Sequence, residues 1–273
     1  MRASSALPHG SDRPIGDLLR GWRERERLSQ LELALSAGMS ARHLSFIETG
    51  RSQPSRDMIG QLSDALALTL RDRNRFLLAA GFAPVYSHDE LEAPQLELVR
   101  AAVRRILTAH EPYPAIVIDR YHNLVDANAS SALFTKDCAS WLLAPPVNVL
   151  RLTLHPDGMA PRFINLSEWR PHLLGSLRRE GETSGDSELN ALYNELKAYP
   201  VSNPLPETRQ RSAADICMPM RLRDGQRELA FYSTIATFGT PFDVTVSELA
   251  IESFFPADAA TAHALNSGAF SSA

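Results

Sequence analysis

The chain has 273 residues and a formal net charge of −4, with 44% hydrophobic and 22% charged residues. That supplies apolar material for one large or two modest cores and excludes a disordered chain. No stretch approaches the ~18–20 consecutive apolar residues of a membrane span, and the opening residues lack a signal peptide's apolar core. A cytoplasmic protein with no membrane partner is therefore expected. Cys138 and Cys217 have neither CxxC nor metal-ligand spacing and read as two reduced thiols. Charge is unevenly distributed: residues 1–75 carry +3, with Arg as their only cation, and residues 76–273 carry −7. The two parts are suited to different partners.

Residues 1–12 read as a loose tail. A helical unit over 13–82 follows. Ile15, Leu18, Leu19 and Trp22 have helical spacing. Ser29 caps a second helix with Leu31, Ala34 and Leu35 as its buried stripe, and Gly38 breaks it. Ser40 caps a third helix carrying Leu44 and Ile47, which stops at Gly50. Met58, Ile59, Leu62 and Leu66 mark a fourth, and a fifth runs from about Arg71 to Ala80. Residues 83–95 read as a connector. Beyond it lies a helix with Leu96, Val99, Val103, Ile106 and Leu107 on one face and Arg100, Arg104 and Arg105 facing water.

The pattern then becomes mixed, giving a second domain over 96–265 and a tail over 266–273. Ala115–Asp119 and Leu124–Ala127 read as strands, and Asn128 caps a short helix that runs to Phe134. Further strands are expected at Asn148–Leu154, Ile216–Leu222 and Glu228–Phe238, with helices at Glu168–Arg178 and Ser187–Ala198. Pro200–Pro206 reads as a loop.

The segment from Ser29 to Ser55 contains Gln30, Ala34, Gly38, Ser40, Leu44, Ile47-Glu48, Gly50 and Pro54-Ser55 at fixed spacing. It resembles the helix-turn-helix of the lambda-repressor-like, XRE-type regulators. The resemblance implies a five-helix fold that reads a double-stranded DNA operator, as a homodimer on paired half-sites. A helical protein-interaction module is the alternative. The residues agree with DNA reading: with Leu44 and Ile47 in the core, Ala41, Arg42, His43, Ser45, Phe46 and Thr49 occupy the other side of the recognition helix. Arg42 can fork onto guanine, and Ala41 and Phe46 can meet a thymine methyl. Ser45 and Arg51 are phosphate candidates, and Ser40 starts the helix. The family implies a phosphate or base contact for Gln30. Phe46 has a second reading as a prop for the helix, and His43 as a water-facing side chain. Glu48 resembles the family's acid that pairs with an Arg of helix one, here Arg23.

Further blocks, among them Arg73–Tyr86, Ala109–Ala115, Pro145–Leu152, Asn165–Trp169 and Glu248–Ala260, resemble regulators with an MmyB-like ligand-binding domain. The resemblance covers roughly 13–265 and implies an α+β PAS-like domain with an antiparallel sheet and a bound fatty acid or similar amphipathic ligand. Candidate lining residues are Tyr113, Leu133, Phe134, Leu152, Phe163, Trp169, Phe231 and Phe238, most of which also suit an ordinary core. His155, Arg162 and Asn165 are polar candidates, and Arg162 can hold a carboxylate by a charge-assisted fork. His155-Pro-Asp157 suits fixing a loop rather than a metal. There is no GxSxG, Walker A, GxGxxG or HExxH, so neither an enzyme nor a bound metal or cofactor is expected. A second domain that only dimerises and a DNA-tethered enzyme are the rival readings.

Overall fold

The computed structural model describes residues 14–200 and 218–267. The chain divides into two units, the first ending at Asp89 and also taking in Thr240–Ser247, the second comprising Glu90–Gly239 and the residues from Glu248 onward.

The first unit contains α1 (Ile15–Arg25), α2 (Gln30–Ser36), α3 (Ala41–Glu48), α4 (Arg56–Ala65) and α5 (Leu70–Ala79). Four of these helices begin at a hydroxyl: Ser29, Ser40, Ser55 and Thr69 each accept the backbone N–H three residues on. Each such cap is worth ~0.5–2 kcal/mol. At Ser29 the cap is reciprocal, since Glu32 accepts the Ser29 N–H at 2.7 Å. Helices this short gain most of their stability from their apolar faces, here Leu19, Leu33, Leu44, Ile47, Leu62 and Phe76, all essentially inaccessible. Gly38, at φ +68°, makes the turn between α2 and α3. Gly16 lets α1 meet the end of α3: a Cβ there would lie 2.7 Å from the carbonyl oxygens of Ile47 and Glu48.

The expected stripe of α2 holds only in part: Ala34 is buried as expected, but Leu31 and Leu35 are exposed and Leu33 joins Ala34 in the core. A seven-residue helix buries one narrow stripe, and here that stripe is 33/34 rather than 31/34/35.

The second unit begins with α6 (Glu97–Ala109), β1 (Ala115–Ile118), β2 (Leu124–Ala127), α7 (Ala132–Thr135), α8 (Val149–Leu154), α9 (Leu166–Ser184) and α10 (Ser187–Ala198). Next come β3 (Met220–Asp224) and β4 (Arg227–Thr237) and, after the turn of helix α11 (Val244–Ser247) that belongs to the first unit, β5 (Ala250–Pro256) and α12 (Ala259–Asn266). The five strands form one antiparallel sheet in the order β2-β1-β5-β4-β3. This is the expected α+β PAS-like unit. On one face of the sheet, Ala115, Val117 and Ile251 pack with Val103 and Leu107 of α6. On the other, Ile116, Ile118, Met220, Leu222, Phe231 and Phe254 pack with Phe134, Leu152 and Trp169. Residues two apart on a strand share a face, and the two sets alternate accordingly. Arg170 of α9 donates to the carbonyls of Leu196, Lys197 and Tyr199, closing the C-terminal end of α10.

Residues 240–247 complete the first unit. Asp243 accepts from the Ser87 hydroxyl at 2.7 Å and the Asp89 N–H at 3.2 Å, and Val244 and Val246 are buried. The chain therefore passes between the units three times, twice through the ends of the segment that joins β4 to β5.

The expected strand at Asn148–Leu154 is a helix. Asn148 accepts the Arg151 N–H, Leu150 and Leu154 enter a core with α9 and α10, and Leu152 enters the core beneath the sheet. Burial on two sides makes a helix alternate like a strand. Ile106 is 43% exposed rather than part of the α6 core face. Asn128 does not cap the following helical turn, because its side chain ties β1 to its neighbours. The helix expected at Glu168–Arg178 extends from Leu166 to Ser184, and β5 and α12 are elements that the sequence pattern does not mark. The loop expected after Pro200, Cys217 and the start of the Ile216–Leu222 strand lie outside the described residues.

Candidate nucleic-acid interface and ligand cavity

The α2–turn–α3 pair is locked from behind by Glu48, whose side chain has no exposed surface. Arg23 donates through Nε to Oε1 at 2.6 Å and through Nη2 to Oε2 at 3.1 Å. Gln30 Nε2 adds a bond to Oε2 at 2.8 Å, and Arg20 stands 3.7 Å away. Burial pushes the Glu48 carboxyl up, but the bonds from Arg23 and Gln30 and the charges of Arg23 and Arg20 hold it below its ordinary value. Arg23 is raised, chiefly by its bond to Glu48. The pair thus joins the helices that the resemblance implied.

On the outer side Ser40, Arg42 and Arg51 are exposed, while His43, Ser45 and Phe46 are half-buried. The guanidinium of Arg42 lies 5.4 Å from the Phe46 ring centre and that of Arg51 lies 6.0 Å from it. Phe46 stands between two cations, a cation–π arrangement that keeps both near the start and end of α3. The Arg51 and Ser52 N–H groups both donate to the Phe46 carbonyl, which fixes the turn after the helix. His43 Nε2 is 3.4 Å from the Ser52 hydroxyl. Two placements differ from expectation. Ala41 packs against the core rather than standing clear on the outer side. One Gln30 N–H is committed to Glu48, a tie that spacing alone does not reveal.

In the second unit a cavity of about 300 Å³ lies between the sheet and α7, α8 and α9. Of the expected residues, Phe134, Leu152 and Trp169 line it, joined by Ile116, Leu124, Met159, Leu173, Met220, Glu252 and Phe254. The rest are placed elsewhere. Leu133, Phe163 and Phe231 fill the surrounding core, and Phe238 packs on the opposite face of the sheet. Tyr113 reaches Asn266 through its hydroxyl, and its backbone carbonyl receives Asn128. Arg162 donates to the carbonyls of Leu133, Lys136 and Arg223. Asn165 holds the edge of β3 through Pro219 and Arg221. His155 lies edge-on to Trp141 and Tyr199, 4.8 Å from each, and its Nδ1 accepts the Asp157 N–H, the loop-fixing role expected. The expected head-group residues therefore do not line the cavity: Arg162 spends its Nε and Nη1 on backbone carbonyls, while its buried Nη2 has no hydrogen-bond partner. Glu252 was missed because a lone acidic residue in Ala250–Pro256 carries no sign of its strand's place at the centre of the sheet.

Among the described residues, no group of three or more His, Cys, Asp and Glu can hold a metal ion, and no helix is long and apolar enough to cross a membrane. Residues 99–267 match the family model of the MmyB-like transcription regulator ligand binding domain, and residues 14–76 match that of a helix-turn-helix domain. These are families of transcription regulators, not of enzymes. No curated protein matches the chain. Among solved structures, it is similar to one titled "Structure of an RNA-binding Light-Oxygen-Voltage Receptor", at 14% identity and a TM-score of 0.26. That match covers 90% of this chain and 58% of the other, and so weak a likeness carries no argument.

Proposed function

We propose that this chain, which belongs to the MmyB-like transcription regulators, is a sequence-specific DNA-binding protein controlled by a small amphipathic molecule in its second unit. The observation that carries this reading is the apolar cavity of about 300 Å³, at the small end of the range for ligand pockets. A second domain that served only for dimerisation has no need of it. Each CH₂ buried there contributes ~0.8 kcal/mol before the costs of binding, so an apolar body like that of a fatty acid binds without special chemistry.

In this reading α3 enters the major groove of an operator, with Arg42 on a base edge and Arg51 on a phosphate. Gln30, Ser40, His43, Ser45 and Phe46 supply the surrounding contacts. Two copies read paired half-sites ~34 Å apart, in the cytoplasm where the DNA is. The ligand regulates by favouring one arrangement of the DNA-binding units over another. The covalent passage from β4 through 240–247 to β5 offers a route, since Glu252 and Phe254 of β5 line the cavity.

The test is selection of fragmented genomic DNA by the full-length chain. The expected result is enrichment of fragments that share two related half-sites about one helical turn apart. Recovery of fragments with no common sequence contradicts sequence-specific reading.

A further inference from the structure

The cavity wall has an uneven supply of hydrogen-bonding groups. Its amide and hydroxyl side-chain donors are already spent, which leaves the neutral indole N–H of Trp169 among the described lining residues. Asn128 Nδ2 donates to the carbonyls of Tyr113 and Leu107, at 2.7 and 3.3 Å. Ser131 Oγ lies 2.9 Å from both the Ala115 carbonyl and Asn128 Oδ1. The hydroxyls of Thr135 and Thr153 donate to Ala132 and Val149, one turn earlier in their own helical segments. No Lys, Arg or His is among the described residues that line the cavity.

Among the described residues of that wall the one ionisable side chain is Glu252, at the middle of β5. It pairs with Ile116 on one side and Ile235 on the other, so the sheet fixes its backbone from both edges. It shares a face with Phe254, which also lines the cavity, and alternates with Ile251 on the opposite face. The wall therefore offers a carboxyl acceptor and no cation among its described residues, with the Trp169 indole N–H as an uncommitted neutral donor.

We infer that the cavity selects amphiphiles whose head group donates a hydrogen bond, such as an alcohol, amide or amine, and discriminates against a free carboxylate, with Glu252 as the acceptor that sets this selectivity. The inference rests on the ligand reading above and narrows it. A carboxylate placed here meets another carboxyl group and no cation, and exchanges its hydration for one neutral donor at most. A donor head meets an acceptor already held in place, so little ordering is needed on binding. Burial pushes the Glu252 carboxyl up, against smaller opposing effects of a bond from Ser233 and the charge of His122.

The test uses decanol, decylamine and decanoate, which share one chain and differ only in the head. Each is titrated into the full-length protein by calorimetry near neutral pH, decanol below its solubility limit and the two charged probes below their micelle concentrations. The expected result is binding of decanol and decylamine at least about tenfold tighter than decanoate. Glu252→Gln, which adds a donor and removes the charge, is expected to narrow that ratio by improving decanoate. The wild-type ratio alone decides the matter if the variant does not fold. Equal binding of all three probes overturns the selectivity and leaves the ligand reading intact. Binding of none of them overturns both, and a Glu252→Gln protein that folds and keeps the wild-type ratio removes Glu252 from the role.

Discussion

Glu48→Ala is expected to destabilise the first unit more than any change on its outer face. The substitution removes a side chain with no exposed surface and leaves Arg23, itself only 11% exposed, without its two carboxylate bonds. Deleting one partner of a buried pair costs ~3–5 kcal/mol. Arg23 keeps its bond to the Leu28 carbonyl, and Gln30 is partly accessible to water, so the low end, ~3 kcal/mol, is the appropriate figure. In a unit of this size each kcal/mol moves the melting temperature by ~4–8 °C, which gives a drop of ~12–24 °C. Differential scanning calorimetry of the full chain measures it, with exposed Arg42→Ala as the control, expected within ~0.5 kcal/mol of wild type. A drop no larger than the control's refutes the reasoning.

The outer face is read through binding. Arg42→Ala is expected to cost ~1–3 kcal/mol and relax one base position, which a binding assay over operator variants checks. Arg51→Ala should weaken all sequences alike and lower the slope of log affinity against log salt by about one. Gly16→Ala forces a methyl to within 2.7 Å of two carbonyl oxygens and should cost ~1–3 kcal/mol. Gly60→Ala in α4, where a methyl meets nothing within 4 Å, should instead stabilise by ~0.5–1 kcal/mol; comparative melts decide. Acid should weaken the first unit through Glu48. Because its folded value is lowered, its stabilisation is complete above the unfolded value of ~4.3 and is lost as pH falls through the lower folded value. Glu48→Gln should flatten the loss of stability below pH ~4.3 in melts across that range.

The helical unit was legible because its signals are local: hydroxyl caps, a turn glycine and apolar residues at helical spacing lie within a few residues of what they control. The Arg23–Glu48 tie spans 25 positions and was reached by resemblance, since spacing alone contains no statement that two distant helices meet. The second unit was legible only in part. Val149–Leu154 alternates because two cores take it from opposite sides, which imitates a strand. Arg162 is a candidate anion ligand by sequence, yet three carbonyls from two distant segments, the end of α7 and β3, converge on its Nε and Nη1. Glu252 became visible only once β5 was placed between β1 and β4, for the order of strands decides which residues face the cavity.

The central claim is that occupancy of the cavity changes the grip on DNA. Its most direct measurement is fluorescence anisotropy of an operator fragment recovered by selection, titrated with the full-length chain with and without saturating decanol. Coupling between sites of this kind is typically ~1–3 kcal/mol, so the operator dissociation constant should shift ~5–150-fold. Calorimetric binding of decanol with an unchanged operator dissociation constant would contradict the claim.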